Sequence, residues 1–216
     1  MKTKIYNLII LDASGSMSSI EKQAVDGVNE TIQTIREAQK KHSSQEHYVT
    51  LVSFNTSEIK KIYDGEPAAD VKELSRKDYK PNCCTPLYDA MGFSITDLQR
   101  KLEEGDKVLV TVITDGEENA SEEYDGKAIS SLVDKLKNEG WVFSYIGANQ
   151  DVMKVAAKIS ISNCIDFDAT GAGTSAMFAK EKKARLRFFE RLAKANNEVL
   201  DCMEEDYYDE VNEGDK

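Results

Sequence analysis

Ile9-Ile10-Leu11-Asp12-Ala13-Ser14-Gly15-Ser16-Met17 is the stretch whose reading decides the fold. It continues an apolar run, Tyr6 to Leu11, whose density of Ile and Leu reads as a strand buried on both faces. The run breaks at Asp12, and Asp12, Ser14 and Ser16 then alternate with Ala13 and Gly15. Such a loop is narrow enough for backbone and hydroxyl groups to converge on one point. Ser18 and Ser19 are placed to cap a helix that starts near Ile20. A strand end, a small-residue loop and a helix start is where open α/β sheets hold their ligands.

Oxygen donors without Cys or His favour a hard cation, Mg²⁺ or Mn²⁺, over zinc or copper. Taken alone, D-x-S-x-S is explained equally well by caps and turn formers. Two distant stretches shift the balance. Thr85-Pro86-Leu87-Tyr88-Asp89-Ala90 puts a hydroxyl residue before a proline suited to the first helical position. Val108-Leu109-Val110-Thr111-Val112-Ile113-Thr114-Asp115-Gly116 is a second buried strand ending in Asp. In a parallel sheet Asp12 and Asp115 both lie at the carboxyl edge, and they are close if their strands are neighbours.

At this point the chain resembles von Willebrand factor A domains. D-x-S-x-S with a later Thr and a later Asp is that family's metal-ion-dependent adhesion site, matched here by Asp12, Ser14, Ser16, Thr85 and Asp115. T-P-L-Y-D-A and I-T-D-G-E-E-N also resemble family sequence. The likeness runs from about Lys4 to the last helix, and is strongest to small stand-alone bacterial members, including those associated with tellurium resistance. It implies six strands with helices on both faces, hydroxyls that bind the ion directly, and aspartates that act partly through water. It also implies that the ion accepts an Asp or Glu carboxylate from a partner protein. One departure is local. Glycines commonly precede the family's Thr, whereas Asn82-Cys83-Cys84 leads to Thr85 here, which would narrow the rim or alter what docks there.

Length and composition bound the rest. With 216 residues and one pattern end to end, residues 1–203 read as one domain, followed by an acidic tail over 204–216. A net charge of −11 disfavours nucleic acid and anionic membrane as partners. No stretch is apolar for long enough to span a bilayer. Met1 to Leu11 mimics a signal peptide but contains the first strand and leads into Asp12, so the expected compartment is cytoplasmic. Four cysteines, two of them adjacent, make neither a disulfide framework nor a zinc pattern, and His42 and His47 read as surface residues.

In chain order, a helix is expected from Ile20 to Lys41 and a strand from His47 to Phe54. A hairpin partner follows over Glu58–Tyr63, with Lys60 and Lys61 on an exposed edge. An irregular segment with a short helical turn spans Asp64–Cys84. Thr85 opens a helix to about Lys101, and a strand covers Lys107–Thr114. Further helices cover Asp125–Asn138, Asp151–Lys158 and Thr174–Met203, with strands at Trp141–Ile146 and Cys164–Phe167 between them. The alternation predicts an α/β doubly wound, mostly parallel sheet with one antiparallel edge strand.

Gly171-Ala172-Gly173-Thr174-Ser175-Ala176 fits G-x-G-x-x-A, but no second βαβ half follows it, so it reads as the start of a helix. Asp12 resembles the nucleophile of haloacid-dehalogenase-like phosphatases, yet Ser14 stands where their second Asp is needed. Tyr207-Tyr208 reads as solvated, and Phe178, Leu186, Phe188, Phe189 and Leu192 as core. The expected function is therefore a non-enzymatic, Mg²⁺- or Mn²⁺-dependent protein-binding module. The alternative is a metal-dependent phosphoester hydrolase at the same site, with Glu117 or Glu118 as its base.

Overall fold

The run that ends at Asp12 is a central strand in a computed structural model that describes residues 2–194 and 207–208. The strands are β1 (Thr3–Asp12), β2 (Gln45–Phe54), β3 (Ile59–Pro67), β4 (Lys107–Thr114), β5 (Val142–Gly147) and β6 (Cys164–Asp166). They lie in the order β3-β2-β1-β4-β5-β6, and every neighbouring pair is parallel except β2 with β3. The helices are α1 (Glu21–Lys41), α2 (Leu87–Gln99), α3 (Gly126–Asn138), α4 (Val152–Lys158) and α5 (Gly171–Lys194). This is the doubly wound α/β sheet with an antiparallel edge that the sequence predicts.

Both faces are covered, which is why the strands read as apolar runs. The alternation of side chains sends Ile5, Ile9 and Leu11 of β1 toward α1 and α5, together with Val49, Leu51, Leu109 and Ile113. Leu8 and Ile10 face the opposite way, with Val52, Val110, Val112 and Phe143, into the core under α2, α3 and α4. Ala24, Val28, Ile32 and Ile35 form the buried stripe of α1. A Cβ on Gly27 would lie 2.0 Å from the Phe178 ring, so α1 and α5 pack at this distance only because Gly27 has no side chain.

The α5 side carries a polar row in the middle of the sheet: Asn7 on β1, Thr111 on β4 and Ser144 on β5. Arg185, fully buried, donates to Asn7 Oδ1 at 3.0 Å and Thr111 Oγ1 at 2.8 Å. Its guanidinium also reaches Glu181 Oε1 at 2.6 Å and 2.7 Å. Phe178, Phe188 and Phe189 are core, with Leu186 and Leu192 packed against it.

Several local expectations are corrected. Ser18 and Ser19 do not cap α1: Gly15–Ile20 forms a 3₁₀ helix that runs directly into it, and Ser19 Oγ donates instead to Ser16 O at 3.2 Å. Thr85 does not open a capped helix, because α2 begins at Leu87 with Pro86 at its cap position. The Asp64–Cys84 segment extends β3 to Pro67 and then contains turns rather than a helix. Asn29 holds that segment on α1 through two hydrogen bonds to the Leu74 backbone, and Arg36 does so through the carbonyls of Ala68 and Val71.

His47 is not a surface residue. It lies within β2, its ring edge-on to Phe189 at 4.5 Å, and burial pushes its pKa down to about 3, aided by the charge of Arg185. Tyr207 and Tyr208 are buried rather than solvated. Tyr208 Oη lies 2.5 Å from Ser144 Oγ, and Tyr207 donates to Glu181 at 3.3 Å. The expected extension of the last helix to Met203 and the remainder of the 204–216 tail fall outside the described residues. Gly171 does begin a helix, and a Cβ on Gly173 would meet Asp168 O at 2.3 Å, so close backbone approach accounts for that glycine.

Candidate metal centre

The strand order creates a switch point between β1 and β4, whose connections leave in opposite directions at the carboxyl edge. Register pairs Leu11 with Ile113, which sets Asp12 beside Thr114 and places Asp115 one residue beyond. Thr114 Oγ1 accordingly donates to Asp12 Oδ2 at 2.6 Å. The other Asp12 oxygen accepts the Ser14 amide at 2.6 Å, closing a tight turn. Ser14 Oγ and Ser16 Oγ are 3.2 Å apart, and Ser16 Oγ donates to Asp115 Oδ1 at 2.5 Å. A Cβ built on Gly116 would lie 3.5 Å from Thr85 Oγ1 and 3.6 Å from Ser16 Oγ, so these hydroxyls flank one point. Asp12, Ser14, Ser16, Thr85 and Asp115, spread over about half the chain, are thus brought together.

Asp12, Ser14, Thr85 and Asp115 are buried, while Ser16 is exposed and opens the group to solvent. Burial pushes the Asp12 carboxyl up to about 6, against hydrogen bonds from Thr114 and Ser14 that favour its charged form. Burial likewise raises Asp115, opposed by its bond from Ser16. Asp115 Oδ2 is buried without a hydrogen-bond partner. A buried carboxylate oxygen without a partner is costly, and a cation offsets that cost. The donor set therefore fits a hard divalent ion, with two carboxylates to balance its charge and neutral hydroxyls around it. Among the described residues there is no group of three or more His, Cys, Asp or Glu that could hold a metal, so an ion here would rest on two carboxylates and the hydroxyls.

A second layer of residues, missed in the sequence, holds these groups in place. Asn119 Oδ1 accepts the Thr85 amide at 2.9 Å, and its own amide donates to Thr85 O at 3.2 Å. Asp89, buried on α2, accepts the amides of Glu122, Glu123 and Tyr124 at 2.9, 3.0 and 2.8 Å, tying the acidic loop to the helix. Tyr79 Oη donates to Asp12 O at 2.5 Å, and Asn149 Nδ2 to Asp115 O at 3.3 Å. A polar residue just after a strand, as at Asn149, was the available signal; Asn119 and Asp89 carried none beyond lying near a motif.

Glu118 is committed elsewhere. Its carboxylate accepts from the amides of Tyr88, Ala120 and Ser121 and from the Ser121 hydroxyl, all within 2.9 Å. It serves as a loop organiser, with no free lone pair aimed at a substrate. Cys83 forms part of the rim with φ +61°, the left-handed region that glycine prefers. Its carbonyl accepts the Gly15 amide at 3.0 Å, and both Cys83 and Cys84 expose their thiols.

A mostly parallel α/β sheet with a carboxylate and hydroxyl centre at its switch point defines the class. The sequence matches the von Willebrand factor type A domain over residues 8–186, and the chain belongs to that family, whose domains are protein-interaction modules. No curated protein matches it. Among solved structures, the vWF domain of the type V pili tip protein Mfa5 from Porphyromonas gingivalis is similar, with TM-score 0.60 at 10% identity, covering 86% of this chain and 96% of that one. The pilus adhesin SpaC from Lactobacillus rhamnosus GG gives 0.62 at 14%, covering 88% and 30%. The PilB minor pilin from Streptococcus sanguinis gives 0.58 at 13%, covering 87% of this chain, which spans 62% of the pilin. At these identities the likeness is one of fold. Among the described residues no helix is long and apolar enough to cross a membrane.

Proposed function

We propose that this domain is a metal-dependent protein-binding module of the adhesion-site type. Asp12, Ser14, Ser16, Thr85 and Asp115 would hold Mg²⁺ or Mn²⁺, and the bound ion supplies the electrophilic centre for a carboxylate of a partner protein. The carrying observation is the Asp115 carboxylate, which takes the Ser16 hydroxyl on Oδ1 while Oδ2 is buried and unpartnered. Two aspartates at most neutralise a divalent ion, and where either acts through water the ion stays electrophilic toward an incoming Asp or Glu carboxylate.

The chain's own residues do the positioning. Thr114 and the Ser14 amide orient Asp12, Ser16 orients Asp115, and Asn119 fixes Thr85. The hydrolase reading loses one of its two candidate bases, because Glu118 is engaged by loop donors, and keeps only Glu117. A cytoplasmic location belongs to the same proposal, supported by the exposed thiols of Cys83 and Cys84, which suit a reducing compartment.

Calorimetric Mg²⁺ titration of the wild type and Thr85→Ala tests the reading, with an expected loss of at least about tenfold in affinity. Equal affinity would remove Thr85 from the site. Robust phosphoester turnover abolished by Asp12→Ala would replace the binding module with an enzyme.

A further inference from the structure

Beside the metal loop lies a concave pocket of about 200 Å³, lined by Ala13, Asn55, Glu58, Lys60, Lys77, Asp78 and Lys80 among others. Ala13 connects it to the site, since this residue sits between Asp12 and Ser14 in the loop itself. The floor is rigid: Ala13 O accepts the Asn82 amide at 2.9 Å and Asn55 Nδ2 at 3.2 Å, and Asn55 Nδ2 also reaches Asn82 Oδ1 at 2.8 Å.

Three lysines converge here in a chain of net charge −11. Among the described residues none of the three forms an ion pair within 4.0 Å, whereas Lys4, Lys22, Lys61, Lys101 and Lys182 each do. Asp78, in the same lining, accepts the Ser75 hydroxyl at 2.5 Å, and that bond, with the charges of Lys60 and Lys77, holds its carboxyl below the usual range. Glu58 is the other carboxylate in the lining. An adjoining pocket, which shares Asn55 and Glu58 with the first, has the reverse character: Glu122, Glu123 and Asp89 line it with Thr56, Ser57 and Pro86, and no Lys or Arg does.

We infer that the pocket of Lys60, Lys77 and Lys80 is a second subsite for the same guest, so the partner is an acidic peptide segment that places one carboxylate on the ion and further carboxylates on the lysines. This deepens the proposed function and rests on it. The acidic pocket beside it repels the same segment, which keeps the segment's carboxylates on the lysines. The lysines act as mobile, hydrated point charges, so they select for acidity rather than for one sequence.

Two end-capped probes test this by amide-shift titration in about 0.15 M salt, with excess Mg²⁺ and with chelator: a glycine-flanked single glutamate and hexaglutamate. Combined Lys60→Gln, Lys77→Gln and Lys80→Gln should weaken hexaglutamate about tenfold and leave the single glutamate unchanged. A control with the same charge change, Lys127→Gln, Lys135→Gln and Lys158→Gln, should have little effect on either probe, because distant exposed charges are screened. Equal weakening in the two triple variants would reduce the effect to net charge and overturn the subsite. Single-glutamate binding that needs Mg²⁺, with hexaglutamate indifferent to the pocket lysines, would overturn the subsite alone. Failure of both probes to bind wild type with Mg²⁺ would overturn the carboxylate-guest reading as well.

Discussion

Replacing Glu181 by leucine strands the guanidinium of Arg185 in the core. Both side chains are essentially inaccessible, and Glu181 Oε1 lies within hydrogen-bond reach of two guanidinium nitrogens. Asn7 and Thr111 solvate the remaining donors but carry no charge. Removing one partner of such a pair costs about 3–5 kcal/mol, because the other charge stays buried and uncompensated. For a domain of this size that corresponds to a fall in Tm of roughly 6–20 °C. Glu181→Leu with Arg185→Met removes both desolvated charges and keeps the volume. The double variant should recover most of the loss, stopping short of wild type because Asn7 Oδ1 and Thr111 Oγ1 lose their donor. Guanidinium unfolding of the three proteins decides the matter. A single-variant loss under about 1 kcal/mol, or a double variant less stable than the single, would refute the reasoning.

Gly27→Ala forces the Phe178 ring away from α1, and thermal melting should show a loss of about 1–3 kcal/mol. Asp89→Ala removes the acceptor of three loop amides, so hydrogen exchange at Glu122, Glu123 and Tyr124 should accelerate while the protein stays folded. The depressed pKa of His47 means that the unfolded chain takes up a proton near pH 6.5 and the native state only near 3. The stability from its neutral ring is complete above about 6.5 and is lost as pH falls toward 3. Between pH 6.5 and 5, wild type should lose about 2 kcal/mol more than His47→Gln, measured by urea unfolding. Mg²⁺ should raise the Tm of wild type and not that of Asp115→Asn; equal rises would separate Asp115 from the ion.

The site was legible because its residues interrupt apolar strands. Asp12 and Asp115 follow runs whose burial was plain, and parallel pairing then brought them together. Asn119 and Asp89 were not legible, since their partners are backbone amides and carbonyls of segments about thirty residues away, which no spacing rule encodes. His47 misled for a related reason: one polar residue at a strand start looks exposed until the facing helix is known. Glu181 and Arg185 stand four apart, a spacing common on solvated helix faces, so nothing in it signals their burial. The overlooked signal was Asn7, Thr111 and Ser144, polar residues inside otherwise apolar strands, which only a polar group from the covering layer satisfies. Tyr207-Tyr208 was hidden by its acidic neighbours in sequence.

β1 is made first and lies at the middle of the sheet. Its partner β2 follows within about forty residues, but its other edge waits for β4, which ends at Thr114. During synthesis at about 5–20 residues per second, that edge stays open for several seconds, a flat and highly apolar template for pairing with another chain. The proposed ion site offers no early relief, because it is complete only once Asp115, one residue past β4, has been made. The domain is thus most vulnerable to aggregation between the emergence of residues 12 and 115, and a chaperone that masks bare strand edges should raise its yield more than added Mg²⁺ does.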